Sequence, residues 1–266
     1  MKKSDISLLS FFQNYPKVAV AFSGGTDSAF LLYAARQYAK EVHAYYVRSA
    51  FQPHFEYNDA VELAKQLDVS LTVIQTDVLS SPVVSANPPD RCYHCKKVIF
   101  SKIVEAAEQD GFFVLLDGTN ASDDASDRPG MKALQELKVL SPLRECGLTK
   151  NQIREFSKEA GLFTWNKPAY ACLATRIPTG CPITAERLSK TERAENFLMS
   201  LGFSDFRVRM IVGEAGSANA SRPYEHARLQ IKKSQLPLLI ENREQIILQL
   251  KKDYDSVLFD LETRDE

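Results

Sequence analysis

Six consecutive residues, Ser23-Gly24-Gly25-Thr26-Asp27-Ser28, gather the types that bind phosphate. They stand between a short β-rich run at residues 18–22 and an apolar-periodic helix expected over 27–40. Gly24 and Gly25 let the backbone turn tightly and approach a ligand with no Cβ in the way. The helix behind them offers unpaired N–H groups and the positive end of its dipole, which suits a phosphate or pyrophosphate. Ser23 and Ser28 add hydroxyl donors. Asp27 would repel a phosphate, so its place here makes sense if it holds a Mg²⁺ that bridges the phosphates. An ordinary strand-to-helix turn or an N-cap accounts for a lone pair of glycines. It does not account for serine, two glycines, aspartate and serine together. The loop lacks the GK[ST] ending of a Walker loop and the GxGxxG of dinucleotide folds.

A second set follows the apolar run at residues 112–116. Asp117-Gly118-Thr119-Asn120 should lie at the carboxyl edge of the same sheet, where ligands bind in open α/β folds, so Thr119 and Asn120 are candidate nucleotide contacts. Asp123 and Asp124 either share the metal or are solvated loop acids. The cysteines form the third set. Cys92 and Cys95 stand in RCYHCK and Cys172 in KPAYACLATRIPTG, whereas Cys146 and Cys181 have no comparable setting. One CxxC is incomplete as a four-ligand zinc site, which Cys172, Cys181 or His94 would have to finish. The alternative is a 4Fe–4S cluster on Cys92, Cys95 and Cys172, with one iron left without a protein ligand and open to an extra sulfide. Arg176 lies four residues after Cys172. Arg207 and Arg209 alternate on an expected strand and share one face, a geometry able to clamp a phosphate, or else simply a solvated face. Glu195 is either a metal ligand or an exposed helix charge. His43, His54 and His226 show no metal-ligand spacing.

SGGTDS resembles the loop of the PP-loop ATP pyrophosphatases. That resemblance implies a doubly wound sheet, cleavage of ATP between its α and β phosphates, and an adenylated intermediate. WNKPAYACLATRIPTG, SPLRECGLTKNQIR and GTNASDD…RPG are together similar to the LarE-type sulfur transferases over approximately residues 15 to 210. This likeness implies the substrate pyridinium-3,5-biscarboxylic acid mononucleotide, adenylated on a carboxylate and converted to a thiocarboxylate for the nickel-pincer cofactor of lactate racemase. In single-cysteine members the cysteine matching Cys172 is the sacrificial sulfur source and ends as dehydroalanine. The three-cysteine pattern here implies the cluster instead, and a sulfide-supplying protein to reload it. The family likeness also implies a symmetric homo-oligomer. After Arg209 the chain departs from the family pattern, which leaves open any role for His226 and Arg228.

These groups need a scaffold that brings loop ends together. Alternating strands and helices are expected at 41–47, 57–67, 71–76, 92–110 and 112–116, giving a mostly parallel sheet covered on both faces. A further helix, 149–160, has Thr149 as N-cap and Gly161 as its stop. Residues 165–182, with three prolines and two cysteines, form a long functional loop or linker. Beyond it, helix 185–201, strands 203–211 and 227–232, helix 235–250 and strand 256–261 make a smaller α+β domain. The loop 213–224 reads as mobile. The expected division is therefore 1–180, the PP-loop domain, and 181–266, a substrate or oligomerisation domain.

The hydrophobic fraction of 44% and charged fraction of 25% are those of a globular protein, and the net charge of −1 gives no overall basic field for nucleic acid. No apolar run spans a bilayer, and residues 1–12 read as a first helix rather than a signal peptide, which places the chain in the cytoplasm. Five cysteines, an odd number, argue for thiol or metal chemistry rather than a disulfide framework. Three rivals share parts of this pattern. A tRNA thiolase would call for basic surface, an amidating synthetase has no use for three cysteines, and a non-catalytic nucleotide binder would hold zinc alone.

Overall fold

The computed structural model describes residues 3–123, 129–213 and 223–264. Along the chain run α1 (Lys3–Asn14), β1 (Lys17–Ala21), α2 (Thr26–Tyr38), β2 (Glu41–Arg48), α3 (His54–Gln66) and β3 (Leu71–Gln75). Then come α4 (Pro82–Ser85), α5 (Arg91–Gln109), β4 (Leu115–Leu116), α6 (Pro129–Glu136), α7 (Pro142–Glu145) and α8 (Lys150–Glu159). The last elements are α9 (Ala185–Ser200), β5 (Arg207–Val212), β6 (Glu225–Gln230), α10 (Leu236–Glu241), α11 (Arg243–Leu250) and β7 (Ser256–Phe259). They divide into two compact units, Met1–Val78 with Asp90–Lys167, and Leu79–Pro89 with Pro168–Glu266. Residue 180, the expected point of division, falls inside the second unit.

In the first unit four strands form a sheet in the order β3-β2-β1-β4, every neighbouring pair parallel. The chain steps outward from β1 to β3 and then returns to the far side of β1 as β4. Strand order therefore reverses at β1. Side chains alternate between the two faces, as a period of two requires. Val18, Val20, Ala44, Tyr46 and Leu116 join one apolar cluster with Leu31 and Leu32 of α2 and Ile153 of α8. Ala19, Tyr45, Val47 and Leu115 join the other with Ile103 and Ala107 of α5 and Leu134 of α6. Helices cover both faces, so the doubly wound α/β fold expected from the alternation is present.

Local chemistry sets the boundaries. Thr149 caps α8 and forms a capping box with Gln152, and Gly161 ends the helix at φ +70°. The apolar run 112–116 gives a strand only at Leu115–Leu116, because its first residues finish α5 instead. Gly111 has φ +78°, Phe112 N donates to Ala107 O, and Phe113 is exposed. Likewise β5 begins at Arg207, not at 203, since Phe203 N returns to Leu198 O and closes α9. The single helix expected over 235–250 is broken at Asn242, the C-cap of α10 and the N-cap of α11. Helices α6 and α7 were not expected from the pattern.

In the second unit β5 pairs antiparallel with β6, and β6 parallel with β7. Val208, Met210, Ala227 and Leu229 meet Leu198 of α9 and Leu250 of α11 in a separate core. The Ser/Pro-rich segment Leu79–Pro89 belongs here for a specific reason. The buried Asn87 donates to Pro178 O at 2.8 Å and Cys181 O at 3.1 Å, and its own carbonyl accepts Gly180 N at 2.8 Å. Almost all of the loop expected to be mobile, 213–224, lies outside the described residues. No described helix is long and apolar enough to cross a membrane.

The capping box makes a direct prediction. Thr149→Ala should cost about 1 kcal/mol, read as a lower urea midpoint at unchanged slope, and Thr149→Ser should restore most of it.

Candidate functional site

The SGGTDS loop leaves the carboxyl end of β1, the strand at which strand order reverses, which is where ligands bind in open α/β sheets. Gly24 takes φ +73°, and a Cβ there would stand 2.9 Å from the Glu56 carbonyl oxygen of α3. Glycine is therefore demanded twice, by conformation and by space. Gly25 is the N-cap of α2, and no side chain caps that helix, so its first amides face the loop as donors. The Ser23 and Ser28 hydroxyls lie 2.9 Å apart, and Ser28 Oγ donates to Gly25 O at 3.2 Å. Thr26, the one loop residue given no ligand role, anchors the turn by donating to Thr164 O at 2.9 Å.

Asp27 projects from the first turn of α2. Its Oδ2 meets Lys150 Nζ at 2.6 Å, while Oδ1 is buried with no hydrogen-bond partner among the described residues. A buried carboxylate oxygen left unpaired is costly unless a cation or donor joins it. One unpartnered oxygen beside an anion-binding helix end fits a Mg²⁺ ligand.

Gly118 is pressed against the loop, since a Cβ there would lie 2.8 Å from Ser28 N. The turn after β4 thus abuts the turn after β1, as the strand order predicts. Within it, Asp117 accepts from Thr119 Oγ1 at 2.5 Å and from Ser141 Oγ at 2.5 Å. Asn120 Oδ1 accepts Ser122 N at 2.8 Å, and Asn120 N donates to Asp123 Oδ2 at 3.1 Å. Thr119 and Asn120 are buried and brace this turn through their own hydrogen bonds. Asp124 lies outside the described residues.

Cys92 and Cys95 fall in the first turns of α5, three residues apart and so on one helix face. Cys92 is exposed, and the buried Arg91 donates through Nη2 to its sulfur at 3.6 Å. Two thiols on one helical turn suit a pair of ligands to a soft metal. In the second unit, Cys172 precedes a short 3₁₀ turn, Leu173–Arg176, and its carbonyl accepts Thr175 Oγ1 at 2.8 Å. The five cysteines are in no disulfide. Among the described residues, no group of three His, Cys, Asp or Glu side chains is gathered as a metal site.

The second unit gathers several arginines, two of them buried, on and beside β5. Arg176 is 1% exposed and bonds Glu195 twice, Nε to Oε1 at 2.6 Å and Nη2 to Oε2 at 3.2 Å. Arg176 is thus not a solvent-facing arm, and Glu195 is no exposed helix charge, because each is the other's buried counter-ion. Glu195 also accepts Val208 N at 2.9 Å and the Tyr170 hydroxyl. Arg207 and Arg209 share the face opposite the core residues Val208 and Met210. Arg207 donates to Ala169 O at 2.5 Å and Arg209 to Thr175 O at 2.8 Å, so both hold the segment around Cys172. Burial, with Arg176 and Arg264 nearby, lowers the Arg207 pKa to about 10, and burial with Arg176 and Arg228 lowers that of Arg209. Part of this charge is met within the chain, since Asp205 pairs with Arg207 at 3.6 Å and with Arg264 at 3.1 Å, and Asp260 with Arg228 at 3.6 Å.

Lys150, Lys167 and Tyr170 were not singled out by the sequence. Lys150 opens α8, and Lys167 donates to Gly24 O at 3.2 Å and pairs with Asp59 at 2.6 Å. The partners of Lys150 and Lys167 are more than a hundred residues away, and that of Tyr170 is 25 away, so spacing carries no trace of them. Only the position of Lys167 and Tyr170 within KPAYAC was a signal. Three histidines bond neighbouring side chains, His43 to Thr72, His54 to Arg48 and His226 to Ser256.

The buried pair predicts an asymmetry. Glu195→Ala should destabilise the protein by about 3 to 5 kcal/mol, because it strands the Arg176 charge. Replacing both, Arg176→Met with Glu195→Met, should cost clearly less. Thermal unfolding of the three variants checks this.

Residues 17–88, which contain the loop, match the family described as queuosine biosynthesis protein QueC. An uncharacterised protein of Synechocystis is 35% identical over 207 residues, 76% of each chain. The pyridinium-3,5-bisthiocarboxylic acid mononucleotide synthase of Lactiplantibacillus plantarum is 33% identical over 205 residues, 76% of this chain and 74% of its own. An uncharacterised protein of Methanocaldococcus jannaschii is 32% identical over 193 residues, 73% of each. With the phosphate loop placed at the strand-order reversal and identity at this level across three quarters of the chain, the protein belongs to the LarE-type ATP-dependent sulfur transferases of the PP-loop superfamily.

Proposed function

We propose that this protein converts a carboxylate of pyridinium-3,5-biscarboxylic acid mononucleotide to a thiocarboxylate, splitting ATP to AMP and pyrophosphate. The observation that carries the reading is the loop itself. An uncapped helix end, two hydroxyls and a carboxylate with one unpartnered oxygen meet at the carboxyl edge of a parallel sheet. The name of the 33% identical relative supplies the substrate class.

In this reading Ser23, Gly24, Gly25 and Ser28 cradle the β and γ phosphates. Asp27 would hold a Mg²⁺, which neutralises charge on the leaving pyrophosphate. Thr119 and Asn120 shape the nucleotide side of the site through the turn they brace. Lys150 holds Asp27 in place and supplies a cation beside the phosphates. A substrate carboxylate oxygen attacks the α phosphorus, and pyrophosphate departs from the loop. The acyl-adenylate formed is a far better electrophile than a carboxylate. Sulfur then attacks the acyl carbon, AMP leaves, and a thiocarboxylate results. Arg207 and Arg209, backed by Arg176, receive the phosphate of the nucleotide substrate. The first unit is the ATP pyrophosphatase part, and the second binds substrate and builds a symmetric homo-oligomer.

For the sulfur we favour a 4Fe–4S cluster held by Cys92, Cys95 and Cys172, over zinc, with sulfide restored by another protein. Such a cluster supplies a sulfide as the nucleophile. The paired thiols of α5 support it, since a sacrificial Cys172 would need neither. In the sacrificial route Cys172 Sγ forms the thioester. Loss of the Cα proton then breaks the Cβ–Sγ bond, leaving thiocarboxylate and dehydroalanine.

Anaerobically purified protein should contain iron and acid-labile sulfide, and Cys172 should keep its mass after turnover. Loss of H₂S from Cys172 would sink the cluster route. Asp27→Asn should cut AMP formation by about 100-fold or more, the scale of a lost catalytic metal ligand. If native protein with the biscarboxylate nucleotide and Mg·ATP formed neither AMP nor pyrophosphate, the function itself would be refuted.

A further inference from the structure

We infer that Lys167 is a positioning residue for ATP: it orients the Gly24–Gly25 peptide so that the Gly25 N–H points at the phosphates. This rests on SGGTDS being the ATP loop. Lys167 Nζ donates to Gly24 O at 3.2 Å and is tied to Asp59 of α3 at 2.6 Å, with the lysine side chain only 15% exposed. A trans peptide is planar, with its C=O and N–H pointing in opposite directions. Holding the Gly24 oxygen on one side therefore sends the Gly25 N–H to the other. There Gly25 N donates to Ser23 Oγ at 3.4 Å, and Ser23 Oγ lies 2.9 Å from Ser28 Oγ, so the amide is aimed at the hydroxyl pair to which the proposed function assigns the phosphates. The ammonium also polarises the peptide, making the N–H a stronger donor.

A glycine pair needs such a hold. Both residues cross φ space with little steric penalty, so this peptide is free to flip unless something fixes its oxygen. The hold is itself well built. Lys167 is followed by Pro168, which favours an extended backbone for the residue before it, and Lys167 has φ −63° and ψ 128°. Arg154 of α8 donates to Lys167 O at 2.8 Å and to Trp165 O at 3.0 Å, pinning the same backbone. The ammonium also lies over the Phe55 ring, 5.4 Å from its centroid, a cation–π contact that adds to the hold. On the far side α3 presses on Gly24 through Glu56 O and Ala60. Lys167 is also the last residue of the first unit. The residue that sets the phosphate-binding amide is thus the one from which the chain departs toward Cys172.

The test is Lys167→Met in the full-length chain, with AMP and pyrophosphate formation measured against ATP concentration. KM for ATP should rise about tenfold, the worth of one charge-assisted hydrogen bond, and Lys167→Arg should return it to within about threefold of native. In isotope-labelled protein, inorganic pyrophosphate should shift the Gly25 amide resonance of the native chain and of Lys167→Arg, but not of Lys167→Met. A lysine that merely stabilised the fold would lower Tm and leave both readouts unchanged, and that result would overturn the inference. Should Lys167→Met fail to fold, Asp59→Asn loosens the ammonium without removing it and should raise KM for ATP about threefold. An unchanged KM there would count equally against the inference. Native protein runs in the same assay, and its failure to release AMP would condemn the ATP-loop reading instead.

Discussion

The structure depends on one turn at the end of β1, where a parallel sheet reverses its strand order and a helix begins with no side chain to cap it. Unpaired amides at a helix start are normally a liability, met by a Ser, Thr, Asp or Asn cap. Here Gly25 occupies the cap position, and the donors are left for an anion. Every neighbouring element answers that choice. The carbonyl of α3 excludes a side chain at Gly24, Gly118 lets the β4 turn reach Ser28, and Thr164 ties down Thr26. Asp27 is set in the first turn with one oxygen paired and the other waiting.

The second unit solves a different problem, which is to keep several guanidiniums close together. Glu195 makes this tolerable. Buried among Arg176, Tyr170 and the Val208 amide, it offsets part of a charge that would otherwise prevent the chain from packing. Arg207 and Arg209 spend donors on Ala169 and Thr175, on either side of Cys172. The positive field and the position of the sulfur-bearing segment thus rest on the same side chains. Removing either guanidinium would also loosen the loop that carries the thiol.

Much of this was legible in the sequence where the determinants are local. Thr149 with Gln152, Gly161, and the β-rich runs 18–22 and 41–47 announced their elements because a helix cap and β propensity act over a few residues. SGGTDS was legible for the same reason. What could not be read depended on distant partners. Phe112 looked like strand until the helix before it needed an end. Glu195 looked like surface because nothing nearby in sequence reveals Arg176 as its partner. Lys150 and Lys167 meet the loop through contacts spanning 123 and 143 residues, which no local pattern reveals. The Asn87 side chain, which draws Leu79–Pro89 to the second unit, belongs to the same class.

The central claim is that this loop serves the attack of a substrate carboxylate on the α phosphorus of ATP. The most direct measurement follows the oxygen. With heavy oxygen in the carboxylates of the biscarboxylate nucleotide, mass spectrometry of the nucleotide products reads where the label goes. The account predicts one labelled oxygen in AMP, unlabelled pyrophosphate and a thiocarboxylate that has lost one label. Unlabelled AMP with label kept wholly in the product, or ADP in place of AMP, would contradict it.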